Sequence, residues 1–268
     1  MIDQCVIIDP NYAKGGQKKV VLAEHPEKGK VIIKQGGFDS ITYLERIRRE
    51  IELLSELDSF YFPKQFDFRI DIKHKQFEII EEFIEGATLR DEIKNYETTD
   101  KIFKLLHNII LGLSIIWTKN VVHRDLKPEN IIIRPDGMPC IIDLGIARFI
   151  DMESLTKTLS PMGPCTPIYA APEQLQNNKQ LIDPRTDFFQ LGIIVLELYL
   201  QEHPFDPVLV GNEFSIIENI LNCRYATKTT RVMEDKTILG FASKTLQIQP
   251  YNRFRNVNMI RDYVQQYI

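Results

Sequence analysis

At 268 residues, with 44% hydrophobic and 26% charged side chains, the chain has the make-up of a globular protein with a sizeable core, and intrinsic disorder is not indicated. A formal net charge of −4 offers no bulk attraction to nucleic acid or to an anionic membrane surface. Cys5, Cys140, Cys165 and Cys223 form no CxxC pair, which argues against a zinc site or a disulfide framework and fits a reducing cytosol.

In chain order, MIDQCVIIDP lacks the basic region and long apolar run of a signal peptide. Gln4–Ile8, Lys18–Ala23 and Lys30–Lys34 read as three strands of a meander, with turns at Asn11–Gly16 and His25–Gly29. Gly15 and Gly16 let the first turn's backbone approach a ligand closely. A helix is predicted from about Ser40 to Leu57, capped by Asp39 or Ser40, because Ile41, Leu44, Ile47, Ile51 and Leu54 recur on one face. Glu50 falls beside that apolar face, where an unpaired carboxylate is costly and calls for a cation. Gln65–Ile72 and Lys75–Ile84 read as another strand pair, turning at Lys73-His74.

Leu89–Ile93 is predicted to start a short helix, and Thr99 or Asp100 to cap a long one through Lys119 with its apolar side on Ile102, Leu105, Leu106, Ile109, Ile110, Leu113 and Ile116. The next stretch, VVHRDLKPENIIIRPDGMPCIIDLG, spans Val121 to Gly145. Its β-branched runs, Val121–Val122, Ile131–Ile133 and Ile141–Ile142, read as short strands, the last two joined by a turn at Pro135-Asp136-Gly137. His123, Arg124, Asp125, Lys127, Asn130 and Asp143 therefore fall at strand ends. The segment from Asp143 to Glu173 is rich in Ser, Thr, Met, Gly and Pro. Phe188–Leu200 reads as a buried helix, too short for the ~20 residues a membrane span needs and interrupted by Gln190 and Glu197. Small helices over Ile216–Leu221, Thr237–Ser243 and Met259–Tyr263 complete the chain.

His123-Arg124-Asp125 with Lys127 and Asn130 matches the protein-kinase catalytic loop, and Asp143-Leu144-Gly145 matches the metal-binding DFG with Leu for Phe. Val31-Ile32-Ile33-Lys34 is similar to the VAIK strand, Cys165-Thr166-Pro167-Ile168-Tyr169 to the substrate-facing GTPxY with Cys for Gly, and Ala171-Pro172-Glu173 is APE. On these motifs the chain resembles the eukaryotic-type serine/threonine protein kinase family over about residues 4–260, and its compact form with YAAPEQL is similar to bacterial members. The resemblance implies an α+β, bilobal protein-kinase-like fold in a single kinase domain, 1–268. A small β-rich N-lobe with one regulatory helix would occupy 1–84, and a hinge with a larger, mostly helical C-lobe 85–268.

The resemblance also implies roles. Lys34, paired with Glu50, would grip the α- and β-phosphates of ATP beneath a flap at Gly15 and Gly16. Val20, Ile32 and Ile132 would line the adenine, and Glu82, in the hinge, would meet it through its backbone. Asp125 would accept or orient the proton of the attacking hydroxyl, Lys127 would stabilise the γ-phosphoryl group, and Asn130 and Asp143 would ligate Mg²⁺. His123 and Leu144 would be packing residues, Asp187 would brace the catalytic-loop backbone, and Glu173 would pair with Arg253. Thr156, Thr158 and Ser160 are candidate phosphosites for a clamp at Arg124.

The function so implied is a cytoplasmic serine/threonine protein kinase using ATP and Mg²⁺ on protein substrates, including its own activation segment, with no nucleic-acid partner and no membrane anchor. Four departures leave a second reading open, a pseudokinase acting as a nucleotide-gated binding module. Ala13 and Lys18 replace two flap glycines, Ile32 replaces a small residue, and Glu81 stands at the gatekeeper position. Glu81 is expected to border Lys34 and compete with Glu50 for it. A small-molecule phosphotransferase is disfavoured by Thr166, the APE motif and Arg253.

Overall fold

The computed structural model describes residues 2–15, 18–38, 44–45, 48, 51–52, 55, 57, 59–144, 148–149, 165–226 and 234–268. It divides into two compact units, Met1–Glu85 and Gly86–Ile268. The first is built on a sheet and the second mainly on helices, the α+β architecture expected.

In the first unit β1 (Val6–Gly15), β2 (Lys18–His25), β3 (Gly29–Gly37), β4 (Gln65–Asp71) and β5 (Gln76–Glu82) form one antiparallel sheet in the order β1-β2-β3-β5-β4. Alternation sorts its side chains by face. Val21, Ala23, Val31, Ile33 and Ile80 cluster on one side. On the other, Phe77 and Ile79 pack with Ile51. The helix expected from Ser40 to Leu57 lies largely outside the described residues, although Leu44, Glu45, Arg48, Ile51, Glu52 and Ser55 are helical.

Two expectations for this sheet are corrected. Of the turn placed at Asn11–Gly16, the stretch Asn11–Gly15 is strand: β1 runs on to Gly15, which pairs with Lys18. The turn chemistry around Pro10 is absorbed as register shifts at Asp9, where Pro10 has no N–H for the ladder and the Asn11 N–H donates to Asp9 Oδ1 at 2.9 Å. Likewise β3 continues beyond Lys34 to Gly37, so that Lys34 sits inside a strand and not at its end.

In the second unit β6 (Ala87–Thr88), β8 (Ile131–Ile133) and β9 (Pro139–Ile141) form a three-stranded sheet, and β7 (Val121–Val122) pairs with β10 (Arg148–Phe149). The main helices are α1 (Thr99–Trp117), α2 (Pro184–Leu200), α3 (Lys236–Thr245) and α4 (Val257–Gln265). α1 buries the predicted stripe from Ile102 to Ile116. α2 is buried from Thr186 to Tyr199, capped by Asp183 with Pro184 opening its first turn. It lies close against α3: a Cβ on Gly192 would stand 2.4 Å from Thr245 Oγ1.

Leu89–Ile93 does not start a helix. The N–H groups of Asp91 and Glu92 both turn back to the Thr88 carbonyl, the Thr88 hydroxyl donates to Asp91 Oδ2 at 2.6 Å, and the Leu89 N–H goes to the Ile131 carbonyl. Thr88 thus closes a turn at the end of β6, and only Ile93–Asn95 forms a 3₁₀ turn.

Candidate active site

The catalytic-loop residues are held from below by α2. Asp187, in its first turn, is fully buried and accepts three N–H groups: Oδ2 takes those of Trp117 Nε1 at 2.8 Å and the His123 backbone at 2.9 Å, and Oδ1 takes that of Arg124 at 2.9 Å. Burial pushes its carboxyl above the ordinary value, and these hydrogen bonds oppose the shift. One turn on, Gln190 accepts the Leu126 N–H at 3.0 Å and donates to the Arg124 carbonyl at 3.0 Å, to which Gln174 also donates at 2.8 Å. With both backbone groups of Arg124 so engaged, the residue adopts the left-handed conformation (φ 72°) that a non-glycine residue takes only where the surroundings enforce it.

That backbone presents Asp125. Its Oδ1 accepts the Thr166 N–H at 2.8 Å, while its Oδ2 lies 3.3 Å from Lys127 Nζ and 3.3 Å from Asn130 Nδ2. Lys127 Nζ also donates to the Thr166 hydroxyl at 2.7 Å. Asn130 donates to the Asp125 carbonyl at 2.9 Å, which fixes the amide's orientation. The Ile142 N–H bonds the Asn130 carbonyl at 2.9 Å, tying Asp143's strand end to the loop, and Asp143 itself has φ 64°. A carboxylate and a carboxamide oxygen are the hard donors that suit Mg²⁺.

Asp125, Lys127, Asn130 and Thr166 are thus brought together, and Leu144 is buried as expected, whereas His123, also buried, does more than pack: its Nδ1 accepts the Asp125 N–H at 3.3 Å and its Nε2 lies 3.3 Å from the Ile142 carbonyl. Ile132 pairs with Cys140 and Thr88. The expected Glu173–Arg253 pair is a buried, two-point contact, both bonds 2.7 Å, with the Thr186 hydroxyl donating to Glu173 Oε1 at 2.9 Å. Burial, reinforced by the Asp125 charge, pushes the Cys165 thiol up to about 11, which disfavours the thiolate form.

In the first unit, Lys34 pairs across the sheet with Val20 on β2 and Ile79 on β5, and its ammonium meets Glu81 Oε2 at 2.7 Å. Glu81 is opposite Ile32 in the ladder, so Ile32, Lys34 and Glu81 share one face. Glu81 is 2% exposed, and its Oε1 has no hydrogen-bond partner among the described residues. Glu82 donates its N–H to the Lys64 carbonyl at 2.8 Å and accepts the Lys64 N–H at its Oε2. Gly15 closes β1. Gly16, Glu50, Gly145, Thr156, Thr158 and Ser160 lie outside the described residues.

Sequence reasoning missed a second polar network around Arg90, Glu129, Tyr169 and Glu197. It also missed the bracing by Gln174, Gln190 and Trp117. The signal was present in part: Gln190 and Glu197 are polar interruptions of an apolar run, and a polar side chain buried in a helix needs a partner.

Residues 14–265 match the protein kinase domain family. Similar curated proteins include serine/threonine-protein kinase PknL of Mycobacterium tuberculosis, 29% identical over 76% of this chain and 51% of its own length. Serine/threonine-protein kinase pkn2 of Myxococcus xanthus is 31% identical over 75% of this chain and 25% of its own length. PknA of Corynebacterium glutamicum is 29% identical over 71% and 42% respectively. The chain therefore spans about half or less of the length of these relatives. With the family match covering nearly all of its residues, the chain belongs to the protein kinase domain family, of the eukaryotic-type serine/threonine kind that these bacterial proteins represent.

Proposed function

We propose that this chain is a protein kinase that transfers the γ-phosphoryl group of ATP to serine and threonine hydroxyls of protein substrates, its own segment between Asp143 and Glu173 among them. The observation that carries the reading is the setting of Asp125, a carboxylate anchored by the Thr166 N–H with the Lys127 ammonium 3.3 Å from its other oxygen. Asp125 takes the proton of the acceptor hydroxyl as its oxygen forms the new bond to phosphorus, and the bond from phosphorus to the departing ADP oxygen breaks. Lys127 balances charge on the phosphoryl oxygens. Lys34 binds phosphate oxygens, with Glu50 as its partner. Gly15, Gly16, Val20, Ile32, Glu82 and Ile132 bind the rest of the nucleotide. Asn130 and Asp143 hold Mg²⁺, which when bound neutralises charge on the phosphates.

Catalysis of this kind is positioning plus charge stabilisation, and the departures at Ala13, Lys18 and Ile32 bear on nucleotide affinity more than on transfer. The four cysteines are widely spaced and form no CxxC pair, which supports a reducing compartment, the cytoplasm. Incubation of the parent chain and its Asp125→Asn and Asp143→Asn variants with γ-labelled Mg·ATP and a generic protein acceptor tests the proposal. Label on Ser or Thr that falls about a hundredfold or more in both variants is expected. Equal label in all three, or none in the parent, overturns it.

A further inference from the structure

Arg90 lies just after β6, outside every motif that carries the resemblance, yet its three guanidinium nitrogens reach three different segments. Nε donates to Glu129 Oε1 at 2.8 Å, within the 3₁₀ turn Pro128–Asn130 that follows Lys127. Nη1 donates to Glu197 Oε1 at 2.8 Å, on α2, and Nη2 meets the hydroxyl of Tyr169. Tyr169 in turn donates to the second oxygen of Glu197 at 2.6 Å, closing a ring of Arg90, Tyr169 and Glu197. Its phenol is pushed above the ordinary value by burial and then by the Glu197 charge, so it remains a donor.

The residues tied together are the ones that flank the proposed chemistry. Glu129 precedes Asn130, and Tyr169 follows Thr166, whose N–H and hydroxyl hold Asp125 and Lys127. The turn between Thr166 and Tyr169 is itself hydrogen-bonded, the Tyr169 N–H to the Thr166 carbonyl at 3.0 Å. Tyr169 and Thr166 are therefore coupled through the backbone of this turn. Two carboxylates, one of them buried, share a single guanidinium, and no lysine can reproduce a planar three-way contact.

We propose that Arg90 is a positioning residue for the phosphoryl acceptor: it clamps the 165–170 loop, through Tyr169, to the catalytic loop, through Glu129. The proposal rests on the kinase reading, and its test keeps the two apart. Arg90→Ala, Arg90→Lys and Tyr169→Phe are compared with the parent by steady-state kinetics and by amide hydrogen exchange. Arg90→Ala is expected to raise KM for the protein acceptor about tenfold while KM for ATP stays the same. The Thr166, Tyr169 and Ala170 amides should lose protection, and the His123 and Arg124 amides, held by Asp187, should keep theirs. Arg90→Lys should regain only part of the effect, and added guanidinium ion at low millimolar concentration should restore protection in Arg90→Ala.

Equal loss at all five amides, or KM for both substrates rising together, makes Arg90 a plain structural residue and overturns the proposal. So does unchanged protection together with an unchanged acceptor KM. If Arg90→Ala does not fold, Tyr169→Phe, which keeps the ring and removes the bridging hydroxyl, decides by the same two readouts. If the parent transfers no phosphate, the kinase reading falls and the exchange comparison alone decides whether the clamp exists.

Discussion

Glu81 is a buried carboxylate paired across the sheet with Ile32 and Gln65, and among the described residues the ammonium of Lys34 is the cation that offsets its burial. The sequence led to the expectation that the two would meet, and they do. The consequence follows from charge: a carboxylate 2.7 Å from Lys34 Nζ would compete with the phosphate oxygens that the proposed function assigns to the same cation. Glu81→Met should lower KM for ATP by about threefold, at some cost in thermal stability, because the ammonium is released to the nucleotide. Unchanged ATP affinity and turnover would remove Glu81 from any tuning role. Asp187 makes the opposite kind of case, a carboxylate kept for its acceptors. Asp187→Asn turns one of its oxygens into a donor facing an N–H, so transfer should drop even though the volume is unchanged, and loss of protection at the His123 and Arg124 amides would locate the cause.

At the scale of elements, close backbone approaches set the tolerances. Gly86 has φ 144°, and a Cβ there would lie 2.1 Å from the Ile133 carbonyl oxygen of β8. Gly86→Ala should therefore destabilise the chain by at least ~2 kcal/mol in denaturant titration, through both strain and overlap. The loop after Thr166 has a second anchor besides Arg90. His203 Nε2 lies 3.0 Å from the Ile168 carbonyl and its ring meets Tyr169 edge-on, while its Nδ1 accepts the Phe205 N–H. Burial lowers its pKa, against the pull of Glu197, so the folded form prefers the neutral ring. The contribution is thus fully present above the unfolded imidazole value, about 6.5, and is lost as pH falls through the lower folded value. Urea midpoints measured across that window should fall with acid more steeply in the parent than in His203→Gln; parallel curves would rule the ring out as their source.

For the whole molecule, the Glu173–Arg253 pair joins segments 80 residues apart in the chain. Both side chains are almost fully enclosed, and the guanidinium also lies over the Phe189 ring at 4.9 Å. Arg253→Met leaves Glu173 buried without its cation and should cost about 3–5 kcal/mol, seen as a lower unfolding midpoint; a double Glu173→Met, Arg253→Met variant should recover much of it. Sequence alone determined the α+β composition, the helices α1 and α2, and the identity of the chemical groups from His123 to Asp143. Periodicity and turn chemistry are local, and so dense a motif tolerates little ambiguity. It also placed Asp187 against the catalytic loop and Glu173 against Arg253 through the resemblance. It misjudged β1, because Asn, Asp and Pro favour a turn locally while ladder pairing decides the outcome, and it misjudged Leu89–Ile93, read as a helix start, because the Thr88 carbonyl and hydroxyl close a turn there. Only tertiary structure brought Arg90, Glu129, Tyr169 and Glu197 into one network and gave Gln174 and Gln190 a shared carbonyl. A buried polar group announces in the sequence that it needs a partner, but which partner depends on distances set by packing between segments far apart in the chain.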